Sequence, residues 1–217
     1  MFIGHYSASF VAKAIAPQVP LWLLLVAAQL VDIVWGIFIL TGLEHASLDP
    51  SLPSNPFVLH DMPYSHSLVA TLAWSAIAFL TAWKALRLAM REALAVAAVV
   101  ASHWFFDLIV HRPDLPLLTG APKFGFGLWN FPQLAYGLEV LLLLVTLWLC
   151  VKAIPIRNDR RGIWYGLAAV LLAIQTMTSF GPIPPTLSTT VLSALALYLI
   201  VPFAGRWVER HQRRANY

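Results

Sequence analysis

Apolar residues run through this chain in stretches long enough to cross a membrane, and the polar positions fall between them in short groups. Stretches of about 20 mostly apolar residues, the length that spans a bilayer core, occupy roughly 20–42, 66–88, 91–111, 132–153, 162–180 and 186–205. They predict six transmembrane helices. A shorter apolar segment, roughly 2–16, comes first and is closed by Pro17 and Pro20, poor helix continuers that mark a tight turn. It predicts a short N-terminal membrane helix, half-crossing or fully crossing. The apolar run after Lys13 continues through Leu40, too far for a cleaved signal core, so it reads as a retained helix. The expected fold class is an all-α polytopic transmembrane bundle.

Composition agrees, since 59% hydrophobic and 11% charged residues leave too little polar surface to coat a soluble globule of 217 residues. No Ser/Gly-rich linker, low-complexity tract or fixed-period repeat divides the chain, which reads as one domain over 1–217 with a basic tail at about 206–217. The net charge of +4 resides in clusters at Lys84/Arg87/Arg91, Lys152/Arg157/Arg160/Arg161 and Arg206/Arg210/Arg213/Arg214, whereas residues 43–65 contain no Lys or Arg. By the positive-inside rule the clusters and the C-terminus are cytoplasmic, and loops 43–65, 112–131 and 181–185 face the other side. Clusters placed that way report topology, and nucleic-acid binding is not indicated. The lone Cys150 allows neither an intrachain disulfide nor a cysteine metal site. Nine Trp and six Tyr fit interfacial belts.

Ionisable groups inside spans are costly and turn inward toward a site, a partner or a pathway. Counting from the cytoplasmic anchors at 1.5 Å per residue puts His5 and Asp32 each about 18 Å from the Pro17/Pro20 turn. The same count puts His103 and Asp107 about 18 and 24 Å above Arg91, Glu139 about 20 Å above Lys152, and His66 about 27 Å above Lys84. Several helices thus carry His or carboxylate into one slab of the outer half. His103, Asp107 and His111 recur every four residues, on one slowly drifting helix face. Histidine nitrogen and carboxylate oxygen are a standard ligand set for zinc and similar ions. Asp61 lies five residues before His66, close enough to join them.

Ordinary alternatives stand beside these readings. His5 is near a terminus, where surface histidines are common, and Asp32 and Glu139 suit interior carboxylates bonded to hydroxyls or Trp donors. His111, beside Arg112, suits a membrane interface, His60 a solvated turn, and Gln175 interhelical hydrogen bonding.

Gly4-His5, Asp32, Ser65-His66-Ser67-Leu68 and Ser102-His103 followed by Asp107 occur in this order over the first 120 residues. Together they resemble the inner-membrane-bound metal-dependent hydrolases of bacteria, a family grouped with zinc-dependent phospholipase C and zinc nucleases. The resemblance implies an all-helical fold, hydrolysis of a phosphoester, residence in the bacterial inner membrane, and metal-binding roles for His5, Asp32, His66, His103 and Asp107. The chain departs from the family's pattern at Val34, where a second acid is frequent, at Asp61, where the family has His, and at His111-Arg112-Pro113-Asp114, where it has Thr-Pro. The last three spans match it only as hydrophobic helices.

The expectation is therefore a one- or two-ion site, most simply zinc, held by His5, Asp32, Asp61, His66, His103 and Asp107. Glu139 is the candidate general base or further ligand, His111 the acid for a leaving group, and Arg112 and Lys123 the grip on an anionic headgroup. A site in the outer leaflet points to a lipid or lipid-linked phosphoester substrate drawn from the surrounding membrane lipids. The competing reading is a metal or proton transporter built on the same cluster. A third is a membrane scaffold whose polar core sets helix register.

Overall fold

The computed structural model describes residues 1–120 and 122–213. Eight α-helices carry the fold, and they follow the hydrophobic stretches closely. Helix α1 is the short N-terminal helix, Ile3–Ile15, and it returns through the Pro17–Pro20 turn into α2 (Leu21–Ala28) and α3 (Leu30–Thr41). After an antiparallel hairpin of β1 (His45–Leu48) and β2 (Phe57–Asp61) come α4 (Leu68–Leu80), prolonged by a π-turn at Thr81–Ala85, and α5 (Met90–Val110). A second small ladder, β3 (Leu115–Pro116) with β4 (Lys123–Phe124), precedes α6 (Pro132–Ala153), α7 (Arg161–Phe180) and α8 (Leu187–Arg213).

Five of these helical segments are long and apolar enough to cross a membrane, and the pair α2/α3 makes a sixth. The chain is a multi-pass membrane protein. Its lipid-facing surfaces are correspondingly apolar, with Met177 73% and Phe203 69% exposed.

Two details differ from the sequence expectation. The first span is not one rod, because α2 and α3 meet at 50° around Gln29, with no Gly or Pro at the break. The basic tail is also not separate: helix α8 runs on to Arg213, and of the tail 214–217 lie outside the described residues. Glu209, in that extension, is buried against Lys13 of α1 as an ion pair. Lys13 spends its other donors on the carbonyls of Pro17 (2.7 Å) and Val19 (2.8 Å), and Glu209 Oε2 accepts from Leu21 N–H at 2.8 Å. A buried pair is stable only when both ends are saturated in this way.

The buried apolar residues form two clusters. The larger joins α1, α2, α5, α6, α7 and α8 toward the end of the molecule bearing Lys84, Arg91 and Lys152. The smaller gathers Trp35, Leu59, Met62, Trp104, Leu115 and Trp129 beneath the two β-ladders. Asp32 falls between Val31 of the larger and Trp35 of the smaller, and His103 between Val100 and Trp104. The polar residues therefore lie along the seam between the two cores.

Candidate metal centre

Helix α5 supplies the axis of the site. The i, i+4 repeat predicted from sequence places His103 and Asp107 on its inward face, with His111 as the C-cap, and all three are buried. Buried His5 arrives on α1, Asp32 on the first turn of α3, and His66 on the residue before the Ser67 N-cap of α4. Ser67 Oγ accepts the Ala70 N–H at 3.0 Å, which fixes where α4 starts and so where His66 stands.

Four ligand atoms face one another closely. Asp32 Oδ1 lies 3.2 Å from His66 Nε2 and 3.6 Å from His103 Nε2. Asp107 Oδ2 lies 3.1 Å from His103 Nε2 and 3.6 Å from His66 Nε2. Four atoms bound tetrahedrally to one ion at zinc distances stand about 3.3 Å apart. These are four of the six separations such a set has, and they lie near that value.

The outer nitrogens decide which ring atoms can bind. His103 Nδ1 is 2.9 Å from the Ala28 carbonyl, which can only accept, so Nδ1 carries a proton and Nε2 is left for the cluster. Ala28 is the last residue of α2, and the bend that follows it sets that carbonyl beside α5. His111 Nδ1 is held by Asp114 Oδ1 at 2.7 Å, which turns its Nε2 toward Asp107 Oδ1 at 3.6 Å. Carboxylate or carbonyl partners on the far nitrogen are the usual way a ligating histidine is oriented. Inside the cluster, His103 Nε2, Asp32 Oδ2, Asp107 Oδ2 and both nitrogens of His5 are buried with no hydrogen-bond partner. Buried polar atoms left so need a cation or a proton between them, and the donor set fits a divalent metal.

A second group abuts the first through Asp107. Its Oδ1 is 3.1 Å from His5 Nε2 and 2.8 Å from the Met1 amino nitrogen. The His5 ring stacks on His103 with centroids 3.7 Å apart. His5, His103 and Asp107 form one potential metal-ligating triad and Asp32, His66 and His103 another. Trp35 edges onto His66, and Trp129 covers His111 at 4.1 Å.

The structure brings His5, Asp32, His66, His103, Asp107 and His111 together and leaves the other candidates elsewhere. Asp61 is a correction: it sits half-exposed on β2, paired with His45 Nδ1 at 3.0 Å, because the hairpin register sets those two residues opposite each other. Glu139 is buried, but its Oε2 accepts the N–H groups of Phe2 (2.8 Å) and Gly4 (3.1 Å). The start of α1 has no side-chain cap of its own, so Glu139 supplies the acceptor that those orphan donors need. A side chain at Gly4 would collide with Met1 and crowd Glu139, hence the glycine. Gln175 Oε1 approaches the third N–H, of Ile3, at 3.4 Å.

Arg112 donates from Nε to Asn130 (3.0 Å) and from Nη1 to the Asn55 carbonyl (3.2 Å), and Lys123 donates to the His60 carbonyl (2.7 Å). Both cations tie loops, and Arg112 Nη2 alone is without a partner. Burial among those loops lowers the Arg112 pKa below its ordinary value. Sequence reasoning missed Asp114, Glu44 and the Ala28 carbonyl. The proximity of Asp114 to His111 was the available signal.

Comparisons with protein-family models, curated proteins and solved structures find no match.

Proposed function

We propose that the chain is a membrane-embedded, metal-dependent hydrolase acting on a lipid phosphoester. The observation that carries the reading is the convergence of Asp32, His66, His103 and Asp107, with His103 Nε2, Asp32 Oδ2 and Asp107 Oδ2 buried and without a hydrogen-bond partner. These residues would hold a divalent ion, most simply zinc, which would supply a water acidified to near neutrality and an electrophile for a phosphoryl oxygen. Asp107 also faces His5 at 3.1 Å and the Met1 amino group at 2.8 Å through its other oxygen.

His111 is the proton carrier in this scheme. Its Nδ1 proton is fixed by Asp114, so its Nε2 can take a proton from the attacking water and return it to the leaving group. Arg112, one residue on, has one buried nitrogen, Nη2, without a hydrogen-bond partner, which an anionic headgroup entering the site would engage. Lipid is favoured as substrate by an apolar groove of about 400 Å³ beside the His66 loop, lined by Phe38, Tyr64, Ser67, Ala70, Trp74 and Ile77. From Ser67 to Ile77 is about 15 Å along α4, the thickness of one leaflet of a roughly 30 Å core. A tail lying there would leave its headgroup level with the metal. Basic clusters at the opposite end support an outward-facing site in a bacterial inner membrane.

Transport requires the charged trail to continue to the basic end. Toward that end the buried charged groups among the described residues are Lys13 and Glu209, and their polar atoms are engaged with each other and with backbone. The test is release of a water-soluble phosphorylated headgroup from phospholipids in mixed micelles by zinc-loaded protein, beside His103→Ala. Headgroup release by wild type alone supports the hydrolase. A metal-loaded wild type that cleaves neither phospholipids nor simple phosphodiesters, yet moves metal or protons across vesicles, overturns it.

A further inference from the structure

Glu44 is a buried carboxylate that the scheme above does not use. It lies just past α3, where Gly42 adopts φ +74° and the N–H groups of Leu43 and Glu44 both return to the Phe38 carbonyl. That left-handed turn, open to glycine at little cost, sends the Glu44 side chain back under the Tyr64–Ser65 backbone. Its Oε1 accepts the N–H groups of Tyr64 (2.8 Å) and Ser65 (2.9 Å), and its Oε2 accepts the Ser65 hydroxyl at 2.5 Å. Glu44 and Ser65 are 1% and 0% exposed.

A serine hydroxyl has one proton to give. Ser65 gives it to Glu44, so toward His66 Nδ1, 2.9 Å away, the same oxygen can only accept. His66 Nδ1 must then carry a proton, and Nε2 is the nitrogen left to face Asp32 and Asp107. We infer that Glu44 is a positioning residue of the metal centre, setting through Ser65 the polarity that presents His66 Nε2 as a ligand. This rests on the metal-centre reading above.

Glutamine at position 44 has the same shape but reverses the relay. With its oxygen kept on the two backbone donors, its amide nitrogen faces Ser65 and donates, which frees the Ser65 proton for His66 Nδ1. His66 is then driven to carry its proton on Nε2, where it cannot bind metal. Ser65→Ala instead leaves Nδ1 without direction.

The experiment pairs zinc-competition titration with ¹⁵N NMR of histidine-labelled protein, in wild type, Glu44→Gln and Ser65→Ala. The expected result is zinc affinity weakened about 10–100-fold in both variants, the range for lost outer partners of metal ligands. The His66 resonances should show the proton on Nδ1 in wild type and on Nε2 in Glu44→Gln at about pH 9, above the ordinary imidazole range. Wild-type affinity in Glu44→Gln, or an unchanged His66 tautomer, overturns the inference. If wild type itself binds no zinc, the metal centre fails, and the NMR comparison alone decides the relay. Melting in chelator separates both results from misfolding, because a variant that merely unfolds melts early with or without metal.

Discussion

Replacing Asp107 by asparagine changes the one carboxylate that the Met1 amino group, His5, His66, His103 and His111 all face, at 2.8 to 3.6 Å. Either orientation of the amide turns one ligand oxygen into an N–H donor. One candidate ligand is lost, or the contact with His5 is. Taking the upper end of the effect seen for mere outer partners, about 100-fold, as a floor for the weakening, the consequence for stability follows by linkage. Wild type held in metal at about 1,000 times its Kd gains about 4.1 kcal/mol, whereas the variant, then at about 10 times its Kd, gains about 1.4 kcal/mol. At roughly 2–4 °C per kcal/mol for a chain of this size, chelator should lower the wild-type Tm by about 8–16 °C and the variant's by about 3–6 °C. Elemental analysis of detergent-purified protein, followed by melting with and without chelator, measures both quantities. A metal-free wild type whose melting ignores both chelator and added zinc would refute the argument, and so would a variant that keeps the full wild-type metal content.

Other substitutions separate the roles assigned to neighbouring groups. Glu139→Gln keeps an oxygen for the Phe2 and Gly4 N–H groups, so metal content and melting should stay near wild type. Glu139→Ala strands both donors and should cost about 2–3 kcal/mol in thermal unfolding. Asp61→Ala removes only the exposed His45 pair; bound zinc should be unchanged, with stability moving by less than about 1 kcal/mol. Lys13→Ala leaves Glu209 buried without its cation, an expected loss of about 3–5 kcal/mol by melting, while Lys13→Met with Glu209→Leu should recover much of it.

The depth of the site was legible because a helix rises by a fixed step, so residues counted from basic anchors reach calculable heights. Asp32, His66, His103 and Asp107 converge on that account. Direction around the helix was less legible. Glu139 is at a fitting depth, but its partner is the start of α1, whose unsatisfied donors follow from where that helix end is buried. The bend at Gln29 has no breaker residue to announce it, and it sets the carbonyl that fixes His103. Asp61 looked close to His66 along the chain, yet the hairpin pairs it with His45, a contact between strands joined by a loop that apolar periodicity does not register. Glu44 was invisible for a similar reason, since its value depends on a turn that folds it under a segment twenty residues away.

The start of α1 is held by Asp107 of α5, Glu139 of α6 and Gln175 of α7. Helix α1 therefore finds these acceptors only after α5, α6 and α7 have been made. Until α6 and α7 are inserted, the leading N–H groups of α1 lack their protein partners in an apolar setting and His5 has no fixed place. Assembly of the centre is thus tied to the insertion of α6 and α7 rather than of α1, and chains halted before α7 would carry Asp32, His66 and His103 without a settled His5. Such contacts between distant parts of a sequence slow folding. Here they would also leave the His5 side of the cluster unformed until the bundle is closed.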